Sequence, residues 1–254
     1  MKNKMRKTRN GLLCLLIFLI WIPLVKAGGS STQTCNVPAH DNVADGTSVY
    51  LSGFCNQERV NHWWSVFKMR KEDWDNGFGF EDPCNMDLPL GRTFAALYLL
   101  TYSADDYART TSDFSGNALR WAYPYTATNA GRLEALCFKP GSTPGQWAGW
   151  AYGSRIELYI PFFYNFDVSS RAATFLHESR HNGGKSHDGG SGCPRTASCD
   201  TNWAYQGANM YEVLYLWWFG VDGTRTTTAI KNMALNRARS VHNSAFNTNP
   251  GFNI

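Results

Sequence analysis

A run of fifteen residues, LHESRHNGGKSHDGG (176–190), constrains this chain more than any other stretch. It holds three of the six histidines in 254 residues, with a glutamate beside the first and two glycines between the second and third. The segment DVSSRAATFLHESRHN (167–182) reads as a helix. Ser169 or Ser170 can cap its N-terminus, Ala172 and Ala173 favour it, and Gly183–Gly184 can end it. The fold must therefore seat a helix whose last turns carry two histidines and whose end is a sharp bend.

On a helix, positions four apart share a face, so His177 and His181 present their rings one turn apart. Two imidazole nitrogens so placed can sit roughly 2.0–2.1 Å from one Zn2+. Glu178, rotated by about 100° from His177, comes near the open position of the metal without being a ligand. There it can take a proton from a water whose pKa zinc lowers toward about 7. Gly184 can adopt a positive φ and turn the chain off the helix. His187, out of reach from a continuing helix, can then approach as a third ligand. Glu178 is thus the candidate catalytic group, and His177, His181 and His187 are the candidate metal ligands.

His177, Glu178, His181, Gly184 and His187 fill every fixed position of H-E-x-x-H-x-x-G-x-x-H, and Asp188 follows directly. The segment resembles the zinc site of the metzincin endopeptidases. The resemblance implies zinc on the three histidines, Glu178 as general base and acid, and hydrolysis of peptide bonds in a protein or peptide substrate. It implies a zincin-like domain, in which the strand before the helix, RIELYIPFF (155–163), is the edge strand that pairs with an extended substrate. The likeness covers little more than a dozen residues, and three features depart from it. Arg180 stands where an uncharged residue is usual, and Gly183 where a large apolar one is. Met210, the nearest candidate for a methionine turn beneath the metal, lies in a stretch that reads as helix. Other third ligands stay open. Glu212, 31 residues after His181, resembles the glutamate that gluzincin metallopeptidases supply, and Asp188 or Asp200 would resemble an aspartate-ligated variant.

The N-terminus places these residues outside the cytoplasm. Lys2, Lys4, Arg6, Lys7 and Arg9 precede the apolar GLLCLLIFLIWIPLV, and VKA ends at Ala27, so residues 1–27 read as a signal peptide and 28–254 as a single domain. The apolar run, about 15 residues, is short for a bilayer span, which needs roughly 20. No membrane association is expected after signal removal. Six of the 24 Lys and Arg, and none of the 20 Asp and Glu, lie in that segment, which leaves a net charge of −2 in place of +4. The basic excess belongs to the leader and gives no reason to expect a nucleic-acid partner. Oligomeric state has no sequence signature here.

Six cysteines remain beyond Cys14, an even number that reads as three disulfides in an exported chain. CPRTASC points to a local Cys193–Cys199 pair. Cys35 in TCNVPAHD has the look of a thiolate switch, but too little chain precedes it for a propeptide, so it is read as disulfide-bonded.

Further helices are expected in QERVNHWWSVFKMRKEDW (57–74), GRTFAALYLLTYSADDYA (91–108, starting near Thr93), WAYQGANMYEVLYLWWFG (203–220) and TRTTTAIKNMALNRARSVHN (224–243). RIELYI alternates as a strand until Pro161, and RLEALCF (132–138) is a second. The class is α+β, helix-rich, with a small mixed sheet, an active-site helix and disulfides. Tyr205 and Tyr211 could stabilise an oxyanion, although core packing explains them, and His40, His62 and His242 read as isolated. Two other classes compete with a peptidase: a secreted binding or adhesion module with a closed, structural metal, and a zinc amidase acting on non-protein amides such as cell-wall peptides. The tryptophans could serve a glycan-binding face in the former, but an aromatic core explains most of them.

Overall fold

The structure is a computed structural model that describes residues 35, 53–74, 82–107, 116–189, 198–200, 202–224, 226–246 and 254. These belong to one compact unit, Thr32–Ile254. In chain order the helices are α1 (Gln57–Val66), α2 (Pro89–Tyr102), α3 (Ala104–Tyr107), α4 (Ala118–Asn129), α5 (Ile160–Tyr164), α6 (Val168–Asn182), α7 (Ala208–Asp222) and α8 (Thr228–Ala245). Strands β1 (Arg132–Ala135), β2 (Gly149–Tyr152) and β3 (Arg155–Leu158) lie between α4 and α5. The class is α+β, as expected. Among the described residues no helix is long and apolar enough to cross a membrane.

The core is built around two buried helices. Every residue of α2 from Pro89 to Leu100 is buried, and α6 is buried from Val168 through Leu176. The second packs against α2, α4, α7 and strand β2, and α7 packs in turn against α8. Phe162 and Phe175 meet edge to face, 5.2 Å between ring centres, where α5 joins α6. Pro89 starts α2 earlier than Thr93, because proline's fixed φ suits the first helical turn. Helix α4 was not anticipated; Pro124 in its interior interrupts the helical signal in the sequence.

Two local expectations are corrected. The cap of α6 is Asp167, whose carboxylate accepts the backbone N–H groups of both Ser169 and Ser170. A charged acceptor holds two donors where one hydroxyl holds one, so the helix begins at Val168. The edge strand is also reassigned. The sheet runs β1-β3-β2, with β1 parallel and β2 antiparallel to β3, which puts RIEL in the middle and Gly149–Tyr152 on the edge beside α6. The strand ends at Leu158, and IPFFY turns into α5 because Pro161 favours a first helical turn.

Cys35 pairs with Cys137 and Cys55 with Cys84. Cys199 is disulfide-bonded as well, while Cys193, its expected partner, lies outside the described residues, as do His40 and the N-terminal segment 1–27. His62 bonds the Tyr123 hydroxyl at 2.7 Å and His242 stacks on Phe246, so neither has a part in the cluster on α6. Asp167→Ala should lower the unfolding free energy by about 1–2 kcal/mol, and Ser169→Ala by clearly less. Urea denaturation measures both, and equal losses would return the cap to the serine.

Candidate metal centre

The end of α6 determines where the third histidine goes. Lys185 N–H bonds Arg180 O, and Gly184 N–H bonds His181 O. This is a Schellman closure with Gly184 at the left-handed position, φ +93°. The bend returns the chain over its own last turn. Lys185 O comes to 2.6 Å from His181 Nδ1, and two residues later His187 reaches the other rings.

His177, His181 and His187 form a group whose ligand-capable atoms all lie within 4.8 Å of one another. Their ring centres are 5.0, 5.3 and 4.6 Å apart. The Nε2 atoms of His177 and His181 are 3.2 Å apart. Two nitrogens bound tetrahedrally to one ion at roughly 2.0–2.1 Å would be about 3.3 Å apart, so the residues fit a metal ion.

Each ring is also held from behind. The Nδ1 of His181 faces a carbonyl, which only accepts, so that nitrogen carries the proton and Nε2 keeps its lone pair. The Nδ1 of His187 lies 3.2 Å from Asp200 Oδ1, and that of His177 lies 2.9 Å from Glu212 Oε2. The His177 contact is short but poorly aligned for a hydrogen bond. Glu212 and Asp200, weighed as ligands, thus stand behind the histidines instead. Asp188 does not join the group. Asp200 is wholly buried and presses so closely on Gly207 that a Cβ there would overlap its carboxylate.

The charges agree with a site for a cation. Burial pulls the His177 imidazole down, but Glu212, Glu178 and Asp200 outweigh it and raise its pKa above the ordinary value. His181 is pushed down to about 4, first by burial and then by the charge on His177. Burial would raise Glu212, yet Arg237 and His177 bring it down to about 2.

Glu178 lies on the same helix and shares the cavity without joining the ligand group. Its Oε2 accepts the Ala151 N–H of β2 at 2.8 Å. Burial raises its pKa against the charge on His177 and the Ala151 bond. Gly149 makes this approach possible, since a Cβ there would lie 3.2 Å from Glu178 Oε1 and 3.3 Å from its Cγ. A cavity of about 990 Å3 adjoins these groups, lined also by Trp147, Trp150, Phe166 and Arg237.

The departures from the metzincin pattern have local causes. A Cβ on Gly183 would overlap the Tyr125 hydroxyl of α4. Arg180 bonds Gln206 O at 2.9 Å and the Tyr125 hydroxyl at 3.1 Å, and lies over the Tyr211 ring, so it ties α6 to α4 and α7. Met210 is in the first turn of α7, not in a tight turn. Tyr205 donates to Ser186 O and Tyr211 packs on Trp121 and Tyr125; neither lines the cavity. Gly149, Ala151, the Lys185 carbonyl and Arg237 were not singled out in the sequence, because backbone donors and cross-helix partners carry no motif.

No protein-family model, curated protein or solved structure matches the chain. What the site can do is read from its own residues. The purified chain should bind one Zn2+ or Co2+ in chelator competition. Asp200→Asn and Glu212→Gln should each weaken binding about tenfold to a hundredfold, and His177→Ala, His181→Ala or His187→Ala by more. Unchanged affinity in any of the three alanine variants would remove that residue from the ligand set.

Proposed function

We propose that this chain is an exported, metzincin-like zinc metallopeptidase that hydrolyses peptide bonds in a protein or peptide substrate. One observation carries the reading: three imidazoles converge, each with an acceptor facing its Nδ1, while a glutamate on the same helix shares their cavity without joining the ligand group. Zinc suits a set of three imidazoles, and held by His177, His181 and His187 it would supply Lewis-acid activation of a water and of the scissile carbonyl. Glu178 takes the proton of the attacking water and passes it to the leaving nitrogen. Burial raises its pKa, which makes the carboxylate a stronger base. The Ala151 N–H fixes one carboxylate oxygen, so the proton is exchanged at Oε1, the oxygen that lies over Gly149.

Export is supported by the disulfides, which belong to an oxidising compartment, together with the basic and apolar leader. A closed structural site in an adhesion module would need a fourth protein ligand, and Glu212, the residue best placed to be one, is engaged with Nδ1 of His177 and with Arg237. Glu178→Gln should keep one zinc per chain and lose peptide hydrolysis by several orders of magnitude. Gly149→Val should keep the zinc and lower kcat by pushing the carboxylate aside. A peptide library and a cell-wall peptide, read by mass spectrometry, supply the substrates. Equal turnover by wild type and Glu178→Gln would reject the mechanism, and four protein ligands in the zinc absorption spectrum would favour the adhesion module.

A further inference from the structure

Arg237, on α8, lines the same cavity as the histidines and is the one arginine or lysine among the described residues that does so. Its Nε and Nη2 lie 3.2 and 3.0 Å from Glu212 Oε1, and its guanidinium sits over the Phe166 ring, 4.9 Å from the centre. Phe166 lines the cavity too. The side chain, 34% exposed, is therefore held at its Nε edge and supported on one face. Among the described residues Nη1 has no hydrogen-bond partner. A guanidinium offers two forks, and the Nε/Nη2 side is used here, while the Nη1/Nη2 end is left. That end matches the two oxygens of a carboxylate.

We propose that Arg237 is a carboxylate-binding subsite, and that the substrate carries a carboxylate near the scissile bond. The inference rests on the peptidase reading for the word substrate, but the site itself is defined by binding. The carboxylate belongs either to a peptide C-terminus or to an Asp or Glu side chain. Both present the same fork of oxygens, and the Phe166 face beneath the guanidinium limits the approach to the cavity side.

Binding is measured first on the full disulfide-bonded chain, zinc-loaded and carrying Glu178→Gln so that nothing is cleaved. Pools of short peptides are compared as C-terminal acid against C-terminal amide, and as Asp or Glu against Asn or Gln. One acid pool should bind about tenfold to a hundredfold tighter than its amide partner, and the arm that shows the difference names the source. Arg237→Met, kept at saturating zinc because Glu212 loses its partner and zinc affinity should fall, should abolish the difference and leave amide binding in place. Arg237→Lys should retain part of it, because the charge stays and the fork is lost. Acid and amide pools that bind alike would overturn the proposal, as would a preference that survives Arg237→Met, or a loss of both pools together at saturating zinc. Wild type that cleaves no peptide would sink the peptidase reading alone, since the binding difference does not depend on turnover.

Discussion

Three imidazoles meet at a point only if each ring is prevented from turning, and the fixing is done at the nitrogen that faces away. A free imidazole rotates about two bonds and exists in two tautomers. An acceptor at Nδ1 removes both freedoms at once and leaves the Nε2 lone pair directed inward. Here the groups that face Nδ1 come from three places: the carbonyl of Lys185 and the carboxylate of Asp200, which are hydrogen-bonded, and the carboxylate of Glu212, which makes a close charged contact. Two of them are buried and charged, which is costly unless the charge is answered. Arg237 answers Glu212, and the imidazoles together with an ion they could share answer both.

The rest of the fold reads as what is needed to bring those acceptors together. Helix α6 runs through the interior between α2, α4 and α7, so its histidines sit at the end of a rigid element. Helix α7 supplies Glu212, and α8 supplies the arginine that balances it. Strand β2 closes the opposite wall and holds Glu178 through a backbone N–H. A glycine at position 149 lets that strand come close enough. Rigid supports on several sides are the general condition for a site that must hold its geometry without help from its ligand.

Much of this was legible in the linear pattern. The existence of α1, α2, α6, α7 and α8, the α+β class and the disulfide reading of Cys35 follow from periodicity, capping residues and cysteine parity, which are local or compositional quantities, whereas α4 and α5 did not show. The Gly184 bend was legible for the same reason: a positive φ at the end of a helix is a property of one residue and its two neighbours. The cap of α6 was misread because Asp167 and the two serines compete for the same N–H groups, and only the folded geometry ranks them. Strand order was misread because a strand's position in a sheet depends on partners distant in the chain.

Sequence alone determined the histidine-bearing helix, its glycine bend and the glutamate beside the first histidine, since all three arise from spacings within a dozen residues. Tertiary structure alone decided the roles of Glu212, Asp200, Gly149 and Arg237. Those residues lie about 10 to 60 positions from the motif residues His177, Glu178 and His187, and side chains that far apart interact only after helix packing has set the distance and the facing atoms. A carboxylate written in sequence has no direction. Packing set Glu212 against Nδ1 of His177, away from the point where the three imidazoles converge.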